Sequence, residues 1–249
     1  MTTLAEVMLD LAGKISRVER GTATGGTTST LIDTSLVQPA SFFRGGTFWC
    51  LSGDNSGVID TIISHSLNTL TLATTQTKVY AAGNRYAVSD LKFPRRDLKK
   101  AVLDVLMETD VPSIDTSMTA ASGEATLSTG VGNVKRVLVD GAINNYWREI
   151  GGKLIFDYAV EGDLEVWYVA KHAEITETES INTAIDTRWL VWAAAEVAWS
   201  DYIKLHEKDR PIAIDFLNKA TQQAALYKTN ASKRLILSRD VHYKYWSGS

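Results

Sequence analysis

The sequence predicts an α+β protein: helices forming a packed body, two small antiparallel β regions of barrel or sandwich type, and an extended C-terminal tail. Three observations carry this prediction. Apolar residues recur at helical spacing in separated stretches. Between those stretches lie two regions rich in Thr, Val and Ile and punctuated by glycine. The final residues lack a helical stripe and crowd aromatic side chains together. The 249 residues are 45% apolar and 22% charged, a globular composition with enough chain for one large domain or two small ones.

The first stretch reads as a helix over about residues 3–19. Leu4, Val7, Met8, Leu11 and Ile15 share a stripe, and Thr2 or Thr3 supplies the N-cap. Gly21 is expected to end it in the left-handed region. From 21 to about 90 the texture becomes β-like: "TSTLIDTSL", "GGTFWCLSG", "SGVIDTIISHS", "TLTLATT", "NRYAVSD". In "NTLTLAT", alternation puts Leu70 and Leu72 on one face and Thr69 and Thr71 on the other. "FPRRDLKKAVLDVLMETD" returns to helix, started by Pro94 or Asp97, striped by Leu98, Val102, Val105 and Leu106, and stopped by Pro112.

A second β region covers about residues 113–172, with Gly151-Gly152 as a hairpin signal between "YWREI" and "KLIFDY". "IDTRWLVWAAAEVAWSDYIKLHEKD" and "RPIAIDFLNKATQQAALYKT" read as two helices, and Pro211 suits a first turn. The resulting divisions are 1–20, 93–112 and 176–230 for the helical body, 21–92 and 113–175 for the β regions, and 231–249 for the tail.

No stretch carries a recognisable catalytic signature. "GTATGGTTS" lacks the Lys of a phosphate-binding loop and precedes a β run, so it reads as a strand entrance. "GDNSGVID" offers Asp54, Asn55 and Asp60 without calcium-loop spacing and reads as a polar hairpin turn. His65, His172, His206 and His242 are not at metal-ligand spacing, and His206 sits near a helix end. Cys50, the one cysteine, lies in "FWCLS" and reads as a buried small hydrophobe. Glu177 and Glu179 fall in a polar loop that reads as solvated. The reading is therefore of a protein that is not an enzyme and has no catalytic, metal or cofactor-binding residues.

The formal charge of −3 argues against a dedicated nucleic-acid binder. "MTTLAEVMLDLAGKI" carries Glu6 and Asp10 where a secretory signal needs apolar residues. No run approaches the roughly 20 apolar residues of a membrane span. A soluble chain made in a cytoplasm is expected.

The candidate site is an interface. Trp189, Trp192, Glu196, Trp199 and Ile203 follow one helical face, and Trp is enriched at subunit contacts. A buried unpaired Glu196 is costly, so it is expected to meet a cation or an inter-subunit seam. In the tail, Leu235 and Leu237 alternate with Ile236, followed by Tyr243, Tyr245 and Trp246. This pattern suits an extended strand added to a neighbour, with Lys233, Arg234 and Arg239 pairing with the partner's acids.

The stretch from "FPRRDLKKAVLDVLMETDVPSIDTSMTA" through "YWREIGGKLIFDY" to "LEVWYVAKHAEITETESINTAIDTRWLVWAAAEVAW" resembles the virion structural proteins of tailed bacteriophages that join head to tail, the neck or connector-adaptor class. The matching elements are residues 115–117, 147–156, 166–172 and 190–199, within a resemblance over about 93–200. The Gly/Thr-rich insert at 21–90 is a second echo. The resemblance implies a homo-oligomeric ring, usually a dodecamer, located in the virion neck after synthesis in the host bacterial cytoplasm. It implies a portal protein above, a tail or further neck protein below, DNA passing without sequence-specific binding, and no membrane partner. Adaptors of this class often grip their neighbours with extended C-terminal segments. The alternative is a carbohydrate- or receptor-binding accessory β module of a phage tail, with rings from "YWREI" and "FFRGGTFW" stacking on sugars.

Overall fold

The computed structural model describes residues 2–244, with side chains throughout except at Glu207 and 229–244. The chain divides into two compact units. Met1–Val105 and Glu174–Ser249 make the first, and Leu106–Ala173 makes the second. By number of elements the described residues are mostly β, with fourteen strands in three sheets against four α-helices. This corrects the expected body of packed helices. The helices α1 (Leu4–Ile15), α3 (Thr187–Leu205) and α4 (Arg210–Lys244), and most of α2 (Arg95–Glu108), belong to the same unit as a seven-stranded sheet. An apolar stripe identifies the face a helix buries but not what covers it.

Helix α1 begins with a reciprocal cap at Thr3. The Glu6 amide donates to Thr3 Oγ1 at 3.3 Å, and the Thr3 amide donates to Glu6 Oε2 at 2.9 Å. Eight of its twelve residues are buried, the predicted stripe among them. It stops at Ile15, earlier than expected, because Ser16 turns extended and a strand starts at Val18.

The sheet of the first unit comprises β1 (Val18–Thr22), β2 (Gly25–Gly26), β3 (Thr30–Ile32), β4 (Thr47–Cys50), β5 (Ile59–Ser66), β6 (Thr69–Leu72) and β7 (Arg85–Ser89). Its order is β1-β7-β4-β5-β6-β3-β2, all neighbours antiparallel. The first and last members are successive pieces of one segment. Between them the Ala23 amide donates to the Asn84 carbonyl at 2.8 Å and the Thr24 amide to the Ile32 carbonyl at 2.7 Å. The sheet therefore curls back on itself as a barrel, and the 18–26 segment serves both of its edges.

Gly21 lies in β1, not at a helix cap. It faces Tyr86, and an added Cβ would fall 2.5 Å from Asp33 Oδ2 and 2.6 Å from the Tyr86 hydroxyl. Glycine is needed there for close approach. Inside the barrel, Leu31, Phe43, Phe48, Cys50, Ile62, Leu70, Leu72, Tyr80, Tyr86 and Val88 form one core, and Cys50 is buried as expected. Phe48 meets Tyr80 edge-on at 5.4 Å and stacks on Tyr86 at 6.1 Å. The buried Tyr86 hydroxyl donates to Asp33 Oδ2 at 2.7 Å, and Ser35 donates to the other oxygen of the same carboxylate. "GDNSG" forms the turn between β4 and β5, with Gly53 and Gly57 at positive φ.

The second unit holds two antiparallel sheets. One has the order β11-β10-β14-β8, from β8 (Asp110–Ala120), β10 (Val134–Val139), β11 (Ala142–Asn144) and β14 (Gly162–Lys171). The other has the order β12-β13-β9, from β9 (Glu124–Thr126), β12 (Trp147–Ile150) and β13 (Lys153–Phe156). Met118, Val137, Leu154, Phe156, Leu164 and Val166 centre their shared core. Gly151 and Gly152, at φ 59° and 77°, make the two-residue turn predicted between β12 and β13. Pro112 does not stop α2, which already ends at Glu108. It sits opposite Val169 in β8, at the edge of its sheet, where a missing N–H is tolerated.

Candidate assembly interface

Helices α3 and α4 run antiparallel. Tyr202 reaches Asp209, Trp199 stacks on Phe216, and Arg188 lies over the Tyr227 ring at 5.3 Å. Helix α3 starts at Asp186, whose carboxylate accepts from the Arg188 amide. Its buried face is Leu190, Val191, Ala194, Ala195, Ala198 and Trp199. The small residues let α4 approach closely, and α4 answers with Ala213, Ala220 and Ala224.

The members of the predicted aromatic face differ. Trp199 is 2% exposed and occupied within its own chain. It stacks on Phe216 at 4.8 Å and 6°, meets Phe93 edge-on at 5.0 Å, and lies 4.6 Å from the Lys92 ammonium. Trp189 and Trp192 are half-buried, and Lys14 reaches over the Trp192 ring at 5.7 Å. Glu196 is also half-buried, and no cation among the described residues pairs with it.

The joint beside Trp199 includes residues the sequence reading missed. Tyr202 donates to Asp209 Oδ2 at 2.7 Å and stacks on His206, the C-cap of α3, at 4.2 Å. Burial, reinforced by the Asp209 carboxylate, pushes the Tyr202 hydroxyl up to about 12. A cleft of about 340 Å³ opens here, lined by Lys92, Phe93, Arg96, Lys100, Asp201 and Tyr202 among others. Lys100 bridges Asp104 and Asp201 at 2.8 Å each, so its charge is internally spent. "LKF" ahead of Pro94 is the sequence signal for Lys92 and Phe93, outside the α2 stripe.

Glu177 also differs from its reading as a solvated loop carboxylate. Arg95 pairs with it at 3.1 Å and Lys99 at 3.4 Å. Burial alone would raise its pKa, but its own backbone amide and the two cations outweigh that and hold the carboxyl below its ordinary range.

The tail segment is corrected. Helix α4 runs unbroken to Lys244, so 231–244 is not an extended strand. No Pro or Gly follows Pro211 until Gly248, and nothing in the sequence stops a propagating helix. Arg234, Arg239 and Tyr243 sit on this helix, and their side chains are outside the described set. Tyr245 and Trp246 lie outside the described residues altogether. At 35 residues α4 has sixteen more than the 19 of α3, and Tyr227 marks where α3 ends beside it. The remaining stretch, 229–244, continues for about 24 Å at 1.5 Å per residue.

The aromatic stretches considered for sugars also separate. In "FFRGGTFW", Phe43, Phe48 and Trp49 are core residues, and Phe42 packs against the same core. In "YWREI", Trp147 packs on the second unit's core, while Tyr146 is 62% exposed. Among the described residues no group of three or more His, Cys, Asp or Glu is placed to hold a metal ion. None of their helices is long and apolar enough to cross a membrane. No protein-family model matches the chain, and no curated protein matches it.

Proposed function

We propose that the chain is a structural adaptor subunit of a tailed-phage neck. It forms a ring under the portal, joins capsid to tail, and lets DNA pass. The observation that carries the reading is the length of α4, whose last sixteen residues outrun the helix it packs on. That segment, "TNASKRLILSRDVHYK", carries Leu235, Ile236, Leu237, Val241 and Tyr243 together with four Lys or Arg and a single Asp. A helix of this composition supports docking on an adjacent copy by helix-in-groove contact.

Each large apolar side chain buried contributes about 1.5–3 kcal/mol, and several are needed to offset the entropy of association. Glu196, uncompensated among the described residues, suits the seam between copies, where a neighbour's cation completes it. The resemblance over about 93–200 supports the neck location. The chain's net charge of −3 supports a conduit, since a strongly basic lumen would hold phosphates and slow DNA.

Negative-stain imaging of the purified chain, alone and with portal rings of the same phage, tests the reading. Closed rings alone, or rings capping the portal, are expected. A chain that stays monomeric and ignores the portal contradicts it.

A further inference from the structure

The second unit turns one sheet face to solvent. Pairing along the β12–β13–β9 sheet puts Trp147 opposite Phe156 and Glu149 opposite Leu154, and the core takes Trp147, Leu154 and Phe156. The alternate positions point the other way: Arg148 opposite Ile155, Ile150 opposite Lys153, and Glu124 opposite Ile155 on the far side. Just before the start of β12, the Tyr146 carbonyl accepts from the Asp157 amide at 3.0 Å, which continues the ladder by one pair. Tyr146 and Tyr158 then stand together at this end, 62% and 53% exposed, with ring centroids 6.0 Å apart and planes tilted by 60°.

Both residues are anchored by one buried side chain. Asn144 is only 7% exposed, and its amide holds both residues. Its Nδ2 donates to the Tyr158 hydroxyl at 2.9 Å, and its Oδ1 accepts from the Tyr146 amide at 2.8 Å. A buried amide satisfied on both sides keeps the geometry in the free protein, so a ligand would not have to order it. The surrounding charges are paired. Arg148 meets Asp157 at 3.2 Å, and Lys153 meets Glu124 at 3.0 Å. Two cations and two anions leave the face neutral overall, with guanidinium, ammonium and carboxylate groups presented outward.

We propose that this face is a saccharide-binding site, packing a neutral pyranose residue on the outward, exposed faces of Tyr146 and Tyr158. A pyranose has one face of C–H groups that packs on an aromatic ring and a rim of hydroxyls that donate and accept. The tilted rings supply the first contact. The Arg148–Asp157 pair, beside Tyr146 on the same face, supplies donors and acceptors for the hydroxyls. The balance of charge disfavours a polyanion, which would need an excess of cations. Interleaved ion pairs also disfavour a dry protein contact, whose centre is depleted of charge. The site lies wholly within residues 124–158 and does not depend on the assembly reading of α4.

Saturation-transfer NMR on the full chain tests it. The probes are glucose-, galactose-, rhamnose- and N-acetylglucosamine-terminated oligosaccharides at millimolar concentration. Transfer to ring C–H protons of at least one of these is expected, with affinity reduced about tenfold or more by Tyr146→Ala or Tyr158→Ala. Circular dichroism should be unchanged in both variants, because both rings are exposed. Tyr158→Phe keeps the ring and serves as a milder variant, expected to retain binding more fully than Tyr158→Ala. The proposal is overturned if none of the probes binds, or if binding survives both alanine variants. It is overturned equally if Tyr146→Ala abolishes self-association in sedimentation while leaving any saccharide signal intact, since the face is then a protein contact.

Discussion

The barrel of the first unit and the paired sheets of the second are built from similar short antiparallel strands, yet they spend their aromatic rings differently. In the barrel, Phe43, Phe48, Tyr80 and Tyr86 are almost wholly buried, and Phe48 packs on both tyrosines. In the second unit the core is mainly aliphatic, with Val137, Leu154, Leu164 and Val166, and the two tyrosines at its edge face water. Rings in the first region hold the fold. In the second, the fold holds the Tyr158 hydroxyl and the Tyr146 backbone through Asn144.

This contrast can be broken by truncating one ring at a time. The largest effect is expected for Phe48→Ala. It removes a fully buried ring that touches both Tyr80 and Tyr86, and large-to-small changes of this kind cost about 3–5 kcal/mol. Denaturant unfolding monitored by near-UV circular dichroism should show the loss. Hydrogen exchange should place it in residues 18–89 and leave the amides of 110–171 protected.

A smaller effect is expected from pH. His65 is buried in the barrel at 5.2 Å from Phe43, and neither ring nitrogen makes a well-formed hydrogen bond. Burial pushes its pKa below the ordinary 6.5, opposed in part by the Leu67 backbone and the Glu19 charge. The unfolded chain then takes up a proton that the folded barrel refuses. Stability is therefore fully present above the ordinary value and is lost as pH falls towards the depressed folded value. Unfolding midpoints measured between about pH 7.5 and about pH 5.5 should fall more steeply for the native chain than for His65→Leu. Equal slopes would place the acid sensitivity elsewhere. The smallest effect is expected for Tyr146→Ala, within about 0.5 kcal/mol of the parent chain, because its ring is mostly in water. A larger loss in the same unfolding assay would make Tyr146 part of its unit's core and erase the contrast.

Periodic signals were legible in the sequence where one face alone decides the structure. The α1 stripe, the Leu70/Leu72 alternation and the Gly151-Gly152 turn all correspond to what forms. Signals that depend on a distant partner were not legible. Gly21 reads as a helix cap until Tyr86 and Asp33 arrive beside it from residues far along the chain. Val18 continues the α1 stripe in sequence, but it pairs with Ser89 in a strand. The expected helical body fails for the same reason, since nothing in a stripe says that a barrel shares its unit. In the candidate interface, the spacing of Trp189, Trp192 and Trp199 was visible. That Trp199 is taken up by Phe93 and Phe216 was not, because those contacts join three separate segments. The tail reads as a strand because alternating aromatics suit one, while the absence of any breaker lets α4 continue.

The assembly reading rests on the part of α4 that α3 cannot cover, and deleting residues 229–249 tests it most directly. The deletion leaves the stretch that packs on α3, with Ala213, Phe216, Ala220, Ala224 and Tyr227, intact. Mass photometry of the full and shortened chains, alone and with portal rings, reads assembly, and a thermal melt of each reads the fold. The account predicts a shortened chain that melts as the full chain does but no longer forms rings or joins the portal. A shortened chain that assembles as before, or one that no longer folds, would contradict it.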